Sequence, residues 1–301
     1  MAKLTEKLVL GTVQFGLPYG INNSTGQPTK ENSLAMLDFA YSKGIKIFDT
    51  AFAYGDAEKI LGEFCRSRGL SGKVKIITKI KAEIASAPDE IKKDIFGQFA
   101  QSLERLKTGQ IDGCLLHEPE QIRDAGIVNV LQELKEQGLV KNIGVSIYDE
   151  ADAIYAVGLK EIDYIQIPYN IFDQRLDQTD FFRLAGQNKK TVFARSVFLQ
   201  GLLLMPKDRI PPHLAGAKAY LKVLDEIINK YSLTRMQAAL AFALINDGID
   251  HVVFGVDNTD QLVEIINLAA QAAGHDDCVK ELKNKFIGIE KYIISPNLWK
   301  K

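Results

Sequence analysis

Short apolar runs rich in β-branched residues alternate along the chain with longer amphipathic segments, and this alternation restricts the fold more than any other feature. Candidate strands cover residues 9–13, 46–49, 74–78, 113–116, 143–146, 164–167, 192–194 and 251–254. Several are apolar on both faces, as buried parallel strands are when each side meets core. Helical spacing fills the gaps. Leu34, Leu37 and Ala40 repeat within 31–42 before Gly44, and Ile60, Leu61 and Phe64 lie within 57–65. Ile91, Ile95, Phe99 and Leu103 mark 89–106, and Val128, Leu131 and Leu134 mark 126–137 before Gly138. A glycine just past the last periodic residue is a helix stop. Two more helical patterns, 216–230 and 233–245, precede the last strand, and 258–268 follows it.

Eight candidate strands in 301 residues, read as each leading into a helix, predict a single-domain (β/α)₈ TIM barrel over 1–301, with a C-terminal helix and tail over 276–301. The main rival is a doubly wound sheet. The first strand is not followed by the G-x-G-x-x-G turn that such a nucleotide-binding sheet uses. A hydrophobic content of 46% allows a large core, and a net charge of -1 gives no basic excess for nucleic acid or an anionic membrane. The longest apolar stretch, near 236–245, is far below the roughly 20 residues of a membrane span. Cys65, Cys114 and Cys278 are odd in number and widely spaced, which suits a reducing compartment, and Met1 to Gly16 does not read as a signal peptide. A cytoplasmic location is therefore expected. The four histidines, His117, His213, His251 and His275, show no metal-ligand spacing, so no metal is expected.

Catalytic groups of such barrels project from the C-terminal ends of strands. Strand two ends in Phe48-Asp49-Thr50-Ala51, with Tyr54-Gly55 in the loop beyond it. Strand three ends in Thr78-Lys79, and strand four in Leu115-Leu116-His117-Glu118-Pro119. Taken singly, Asp49 reads as a turn cap, Tyr54 as a loop aromatic, Lys79 as a solvated lysine and His117 as a bonded core histidine. Together they reach one mouth of one barrel and make one chemistry. A carbonyl that accepts hydride develops negative charge on oxygen and then needs a proton. A phenol, with an ordinary pKa near 10, becomes a better acid beside an ammonium. Lys79 can supply that field, Asp49 can hold Lys79 charged, and His117 can hydrogen-bond the substrate oxygen.

In these motifs the sequence resembles the aldo-keto reductase superfamily, and the resemblance extends over nearly the whole chain. It implies a catalytic tetrad of Asp49, Tyr54, Lys79 and His117, with NADPH as cofactor. Gly11-Thr12 matches the first-strand motif beside the nicotinamide ribose. Gly144-Val145-Ser146, Gln166 and Tyr169-Asn170 match positions that contact the nicotinamide carboxamide. Gln200-Gly201-Leu202-Leu203 is similar to the loop around the pyrophosphate.

Two departures qualify the resemblance. Relatives place basic and hydroxyl residues after strand eight to grip the 2′-phosphate of NADP. Here Gly255, Val256, Asp257 and Gln261 stand there, with Asp260 adding a second negative charge. Weak NADP preference, with NADH also accepted, is the expectation. Asn258 either opens an anion-binding helix start or is a plain N-cap. Glu264 fits an adenine contact, although its neighbour is Ile265. After strand seven, relatives carry Tyr-Ser-Pro-Leu, the Tyr stacked on nicotinamide. This chain has Arg195-Ser196-Val197-Phe198. Arg195 can stack in its place, bind an acidic substrate, or form a salt bridge at the barrel mouth.

Phe15, Tyr19, Phe52, Tyr148 and Phe198 are the candidate walls of a pocket for a small carbonyl compound. The short loop after His117 suggests an open mouth suited to a polar or sugar-like one. Two other readings are kept: a cofactor-binding regulatory subunit that senses redox state, and a barrel lyase forming a Schiff base on Lys79.

Overall fold

The computed structural model describes residues 4–82 and 88–299. Along them run β1 (Leu8–Gly11), α1 (Val13–Gly16), α2 (Lys30–Ser42), β2 (Ile47–Asp49), α3 (Ala57–Ser67), β3 (Lys75–Ile80), α4 (Pro88–Leu106), β4 (Ile111–Leu116) and α5 (Ala125–Glu136). There follow β5 (Val140–Ser146), α6 (Glu150–Gly158), β6 (Tyr164–Pro168), α7 (Phe181–Gln187), β7 (Thr191–Arg195), α8 (Ala217–Lys230) and α9 (Arg235–Leu244). The order ends with β8 (His251–Phe254), α10 (Thr259–Ala270), α11 (Asp276–Lys285) and α12 (Lys291–Ile294). Each strand pairs in parallel with the next, and β8 closes on β1, with Leu8 opposite Val252 and Leu10 opposite Phe254. The fold is the (β/α)₈ barrel that the alternation predicts.

Differences lie at element ends and in short elements. β1 stops at Gly11 and Val13 opens α1, whereas β3 runs on through Lys79 to Ile80. The helices α6 and α7 have 9 and 7 residues, too short for a 3.6-residue repeat to declare itself. Instead of one helix and a tail, the C-terminal segment folds as α11, α12 and a 3₁₀ turn at Pro296–Leu298. Buried Trp299 anchors it, its Nε1 donating to the Tyr292 carbonyl at 2.8 Å. The basic residues after Trp299 and the first residues of the chain lie outside the described residues.

Strand side chains alternate between the barrel interior and the surrounding helices. Inside, Val9, Ile47, Ile77, Leu115, Tyr164, Phe193 and Val253 form one buried plug. At that level β5 contributes Gly144, where a Cβ would sit 2.1 Å from the Tyr164 carbonyl oxygen and 2.7 Å from Leu115 Cδ2. No side chain fits there. The outward residues Leu10, Phe48, Ile76, Leu116, Val145, Ile165 and Val252 pack with helix residues such as Leu37, Leu61, Phe99 and Leu131 in the larger core.

Two residues beyond each plug position the chain points inward again, now at the C-terminal mouth. Those positions are Gly11, Asp49, Lys79, His117, Ser146, Gln166, Arg195 and Gly255. A period of two on eight strands thus places one residue from each at a common level above a sealed floor.

Candidate active site

Lys79 Nζ donates to Asp49 Oδ1 at 2.6 Å and to the Thr50 carbonyl at 3.0 Å. Their side chains are only 1% and 6% exposed. Two charges taken from water need further bonds to complete them. Gln166 supplies one, its Nε2 donating to Asp49 Oδ2 at 2.7 Å. The Tyr54 ring has its centroid 5.2 Å from Lys79 Nζ and 5.7 Å from the His117 ring, edge-on at 81°. Asp49, Tyr54 and His117 all line one cavity of about 610 Å³.

Burial pushes the Tyr54 phenol above its ordinary pKa. The Asp49 carboxylate adds to this, and the Arg195 guanidinium opposes it. From the sequence, Lys79 is expected to supply that opposing field. Burial also pushes the Lys79 amine below its ordinary pKa, and the phenol keeps its proton. His117 is pushed down to about 3, first by burial and then by Lys79, Arg195 and Lys81. Its imidazole is therefore neutral at physiological pH, with one nitrogen as donor and the other as acceptor.

The loop that carries Tyr54 is held against α1 by backbone contact. A Cβ on Gly16 would lie 1.7 Å from the Tyr54 carbonyl oxygen. Gly55 adopts φ +52°, and a Cβ there would lie 2.4 Å from the Gly16 carbonyl oxygen. Only glycine allows this approach, which fixes where the phenol points. Gly16→Ala should destabilise the fold by about 2 kcal/mol, within the usual range for overpacking, and lower turnover through displacement of Tyr54. Thermal unfolding and steady-state kinetics check this. Unchanged values of both would show that the contact does not position the loop.

The cavity runs from His117 at the end of β4 to Glu264 on α10. Gly11, Ser146 and Gln166 line its floor, and Arg195, Ser196, Gln200 and Gly201 line the β7 side. Gly255, Asp257 and Gln261 line the β8 side, and Tyr19, Tyr148 and Phe198 also reach it. Asp257 and Gln261 close on each other, the Asp257 N–H donating to Gln261 Oε1 at 2.9 Å and Gln261 Nε2 to Asp257 Oδ2 at 3.3 Å. Burial raises the Asp257 pKa.

Four residues expected at the site lie elsewhere. Thr12 is buried and its Oγ1 donates to the Asp49 carbonyl at 3.0 Å, tying β1 to β2. Phe15 is fully buried in core. Phe52 turns outward under the Arg105 guanidinium, 4.2 Å from the ring centroid. Asn258 acts as the plain N-cap of α10, accepting from the Gln261 N–H at 2.9 Å. The salt bridge considered for Arg195 is also absent: it has no carboxylate partner among the described residues. Conversely, Gln14, Asn22, Met236 and Asn297 line the cavity without having been singled out.

The β7 loop is bent to shape. Ser196, Leu199 and Gln200 adopt φ of 61°, 49° and 53°, a left-handed region that costs non-glycine residues about 1 kcal/mol or more each. The loop after β1 lies across it. The Ile21 N–H donates to the Gln200 carbonyl at 3.1 Å, and Gln200 Nε2 donates to the Tyr19 hydroxyl at 3.1 Å.

A protonated phenol and a neutral imidazole in one cavity at the barrel mouth suit an oxidoreductase acting on carbonyl groups. The family model described as Aldo/keto reductase family matches residues 7–285, so the chain belongs to that family. The aldo-keto reductase YhdN of Bacillus subtilis (strain 168) is 28% identical over 297 residues, covering 90% of this chain and 87% of that protein. A D-threo-aldose 1-dehydrogenase of Pseudomonas sp is 25% identical, covering 80% of this chain and 84% of that one. The fold of an aldo-keto reductase from Bacillus halodurans, solved in its holo form, matches with a TM-score of 0.69 at 22% identity, over 92% of this chain and 91% of that one.

Proposed function

We propose that the protein is a nicotinamide-dependent oxidoreductase interconverting a carbonyl compound and an alcohol, with Tyr54 as the proton donor in reduction. One observation carries this reading most directly: the phenol and the neutral imidazole open onto the same cavity as Gln166, whose Oε1 is buried with no hydrogen-bond partner among the described residues. The other end of that amide is committed to Asp49, so Oε1 is fixed as an acceptor awaiting a donor. A carboxamide N–H₂ is such a donor, and a nicotinamide carries one. Gln166 and Ser146 would hold the nicotinamide, Gln200 and Gly201 the pyrophosphate, and Gly255, Asp257, Gln261 and Glu264 the adenosine.

When bound, reduced nicotinamide supplies the hydride. Every other part of the reaction falls to the chain. His117 donates a hydrogen bond to the carbonyl oxygen and aims it at Tyr54. Tyr54 passes its phenolic proton to that oxygen as negative charge develops there. The Lys79–Asp49 pair holds the base of the site and locks Gln166. Tyr19, Tyr148 and Phe198 wall the substrate. Lys79 is poorly suited to a Schiff base, because its Nζ makes two hydrogen bonds and is almost inaccessible.

The proposed cofactor is NADPH, with NADH accepted comparably. At the β8 end of the cavity the ionisable residues are Asp257 and Glu264, and Arg195 on β7 is the one lysine or arginine lining it among the described residues. A 2′-phosphate there would meet carboxylates rather than cations. Fluorescence titration should give affinities for NADPH and NADH within about tenfold, or 1.4 kcal/mol. A hundredfold preference for NADPH would contradict this. A carbonyl screen with the bound cofactor then tests the function itself. The likeness to D-threo-aldose 1-dehydrogenase puts sugars in that screen.

A further inference from the structure

We propose that Arg195 is a substrate-recognition residue for an oxyanion, so that the carbonyl compound turned over here carries a carboxylate or phosphate. This rests on the carbonyl-reducing reading above and adds the substrate's charge to it.

The side chain comes from the β7 position two beyond the plug residue Phe193 and reaches across the mouth toward β5. Its Nε donates to Ser146 Oγ at 3.2 Å, Nη1 to Ser196 Oγ at 3.1 Å and Nη2 to the Ile147 carbonyl at 2.9 Å. The guanidinium carbon lies 4.7 Å from the Tyr148 ring centroid. Three neutral acceptors and an aromatic face therefore fix the group in place. A guanidinium has five N–H donors, so two remain without acceptors among the described residues.

The missing feature is a counter-charge. The other partly buried arginines each have one: Arg105 faces Glu58, Arg175 faces Asp173, and Arg235 faces Asp225. Arg195 has none among the described residues. Its surroundings at the catalytic end supply none either, because Asp49 is committed to Lys79 and Gln166. His117 stays neutral. The carboxylates of the cavity, Asp257 and Glu264, belong to the β8 and α10 end. A fixed, partly desolvated cation with spare donors is the arrangement that selects an oxyanion by charge-assisted hydrogen bonds. Its position beside Tyr54 and His117 puts that anion on the molecule being reduced.

The rival counter-ion is the cofactor's own pyrophosphate, and the test separates the two. Wild type, Arg195→Gln and Arg195→Lys are assayed on 4-carboxybenzaldehyde and its neutral methyl ester. The wild type should favour the acid by about ten- to a hundredfold in kcat/KM, the worth of a hydrogen bond to a charged group, expressed mainly in KM. Arg195→Gln should bring the ratio close to one, and Arg195→Lys should recover part of it. Calorimetry on the cofactor-bound protein with benzoate, phenyl phosphate and benzamide should show both anions, or one of them, binding better than the amide in wild type only. The stronger anion identifies carboxylate or phosphate. The proposal is overturned if the acid-to-ester ratio is the same in wild type and Arg195→Gln. It is equally overturned if Arg195→Gln weakens cofactor binding about tenfold with no change in that ratio, since Arg195 then serves the pyrophosphate. If wild type reduces neither aldehyde, the carbonyl screen judges the function, and the calorimetry still judges the anion site.

Discussion

Tyr54→Phe is expected to lower kcat for carbonyl reduction by about 10²- to 10⁴-fold, the usual contribution of a positioned general acid, while cofactor affinity stays near its wild-type value. The substitution removes one oxygen and leaves the ring against His117, where the two stand edge-on at 5.7 Å. Tyr54 makes no hydrogen bond that locks Gln166 or shapes the β7 loop, so the groove should survive intact. The buried phenol holds its proton because burial and the Asp49 carboxylate both raise its pKa. The site therefore starts the reducing direction with its acid loaded. Steady-state kinetics beside a fluorescence titration gives both quantities. Full activity in Tyr54→Phe would remove the acid assignment.

Lys79→Met should be nearly inactive and also markedly less stable. The lysine is the main partner of a carboxylate that is itself almost inaccessible. Breaking a buried pair by deleting one member typically costs about 3–5 kcal/mol, because the other charge is left behind uncompensated. For a domain of this size that corresponds to a fall in Tm on the order of 10 °C. Turnover should fall by about a hundredfold or more, since the unbalanced carboxylate makes the phenol a weaker acid still. The double variant Asp49→Asn/Lys79→Met separates the two effects. Removing both charges should return much of the stability and little of the activity. If Lys79→Met unfolds like wild type, the pair is not the support described here.

The architecture was legible because buried parallel strands announce themselves through apolar, β-branched runs, and helices of 10 or more residues repeat often enough to be seen. The helices α6 and α7, with 9 and 7 residues, leave no such repeat in the sequence. The site was legible where it lies on strands. Asp49, Lys79 and Arg195 are the last inward positions of β2, β3 and β7, Gln166 is the inward position of β6 just beyond the plug, and alternation alone carries them to the mouth. Past a strand end that alternation reaches one residue further, to His117 and Gly255, and then stops. Phe15 and Phe52 both sit in such segments, and nothing local shows that one turns into core and the other outward under Arg105. Thr12 follows a glycine at the mouth, yet its hydroxyl is consumed by the Asp49 carbonyl. The bond from Gln166 to Asp49 spans 117 residues of sequence, so no local pattern encodes it. The same holds for the loop after β1, which reaches Gln200 across a separation of about 180 positions. The electrostatics are only half legible: the amine beside the phenol is visible in the sequence, but the burial that pushes its pKa down depends on the folded barrel.

The most direct measurement is label transfer. The protein is given reduced nicotinamide cofactor deuterated at both C4 positions together with a carbonyl substrate, and the alcohol is analysed by mass spectrometry. The expected result is one deuterium on the carbinol carbon of the product, formed by wild type and almost lost in Tyr54→Phe. A protein that binds the cofactor yet transfers no label to any carbonyl across the screen would contradict the proposed reaction.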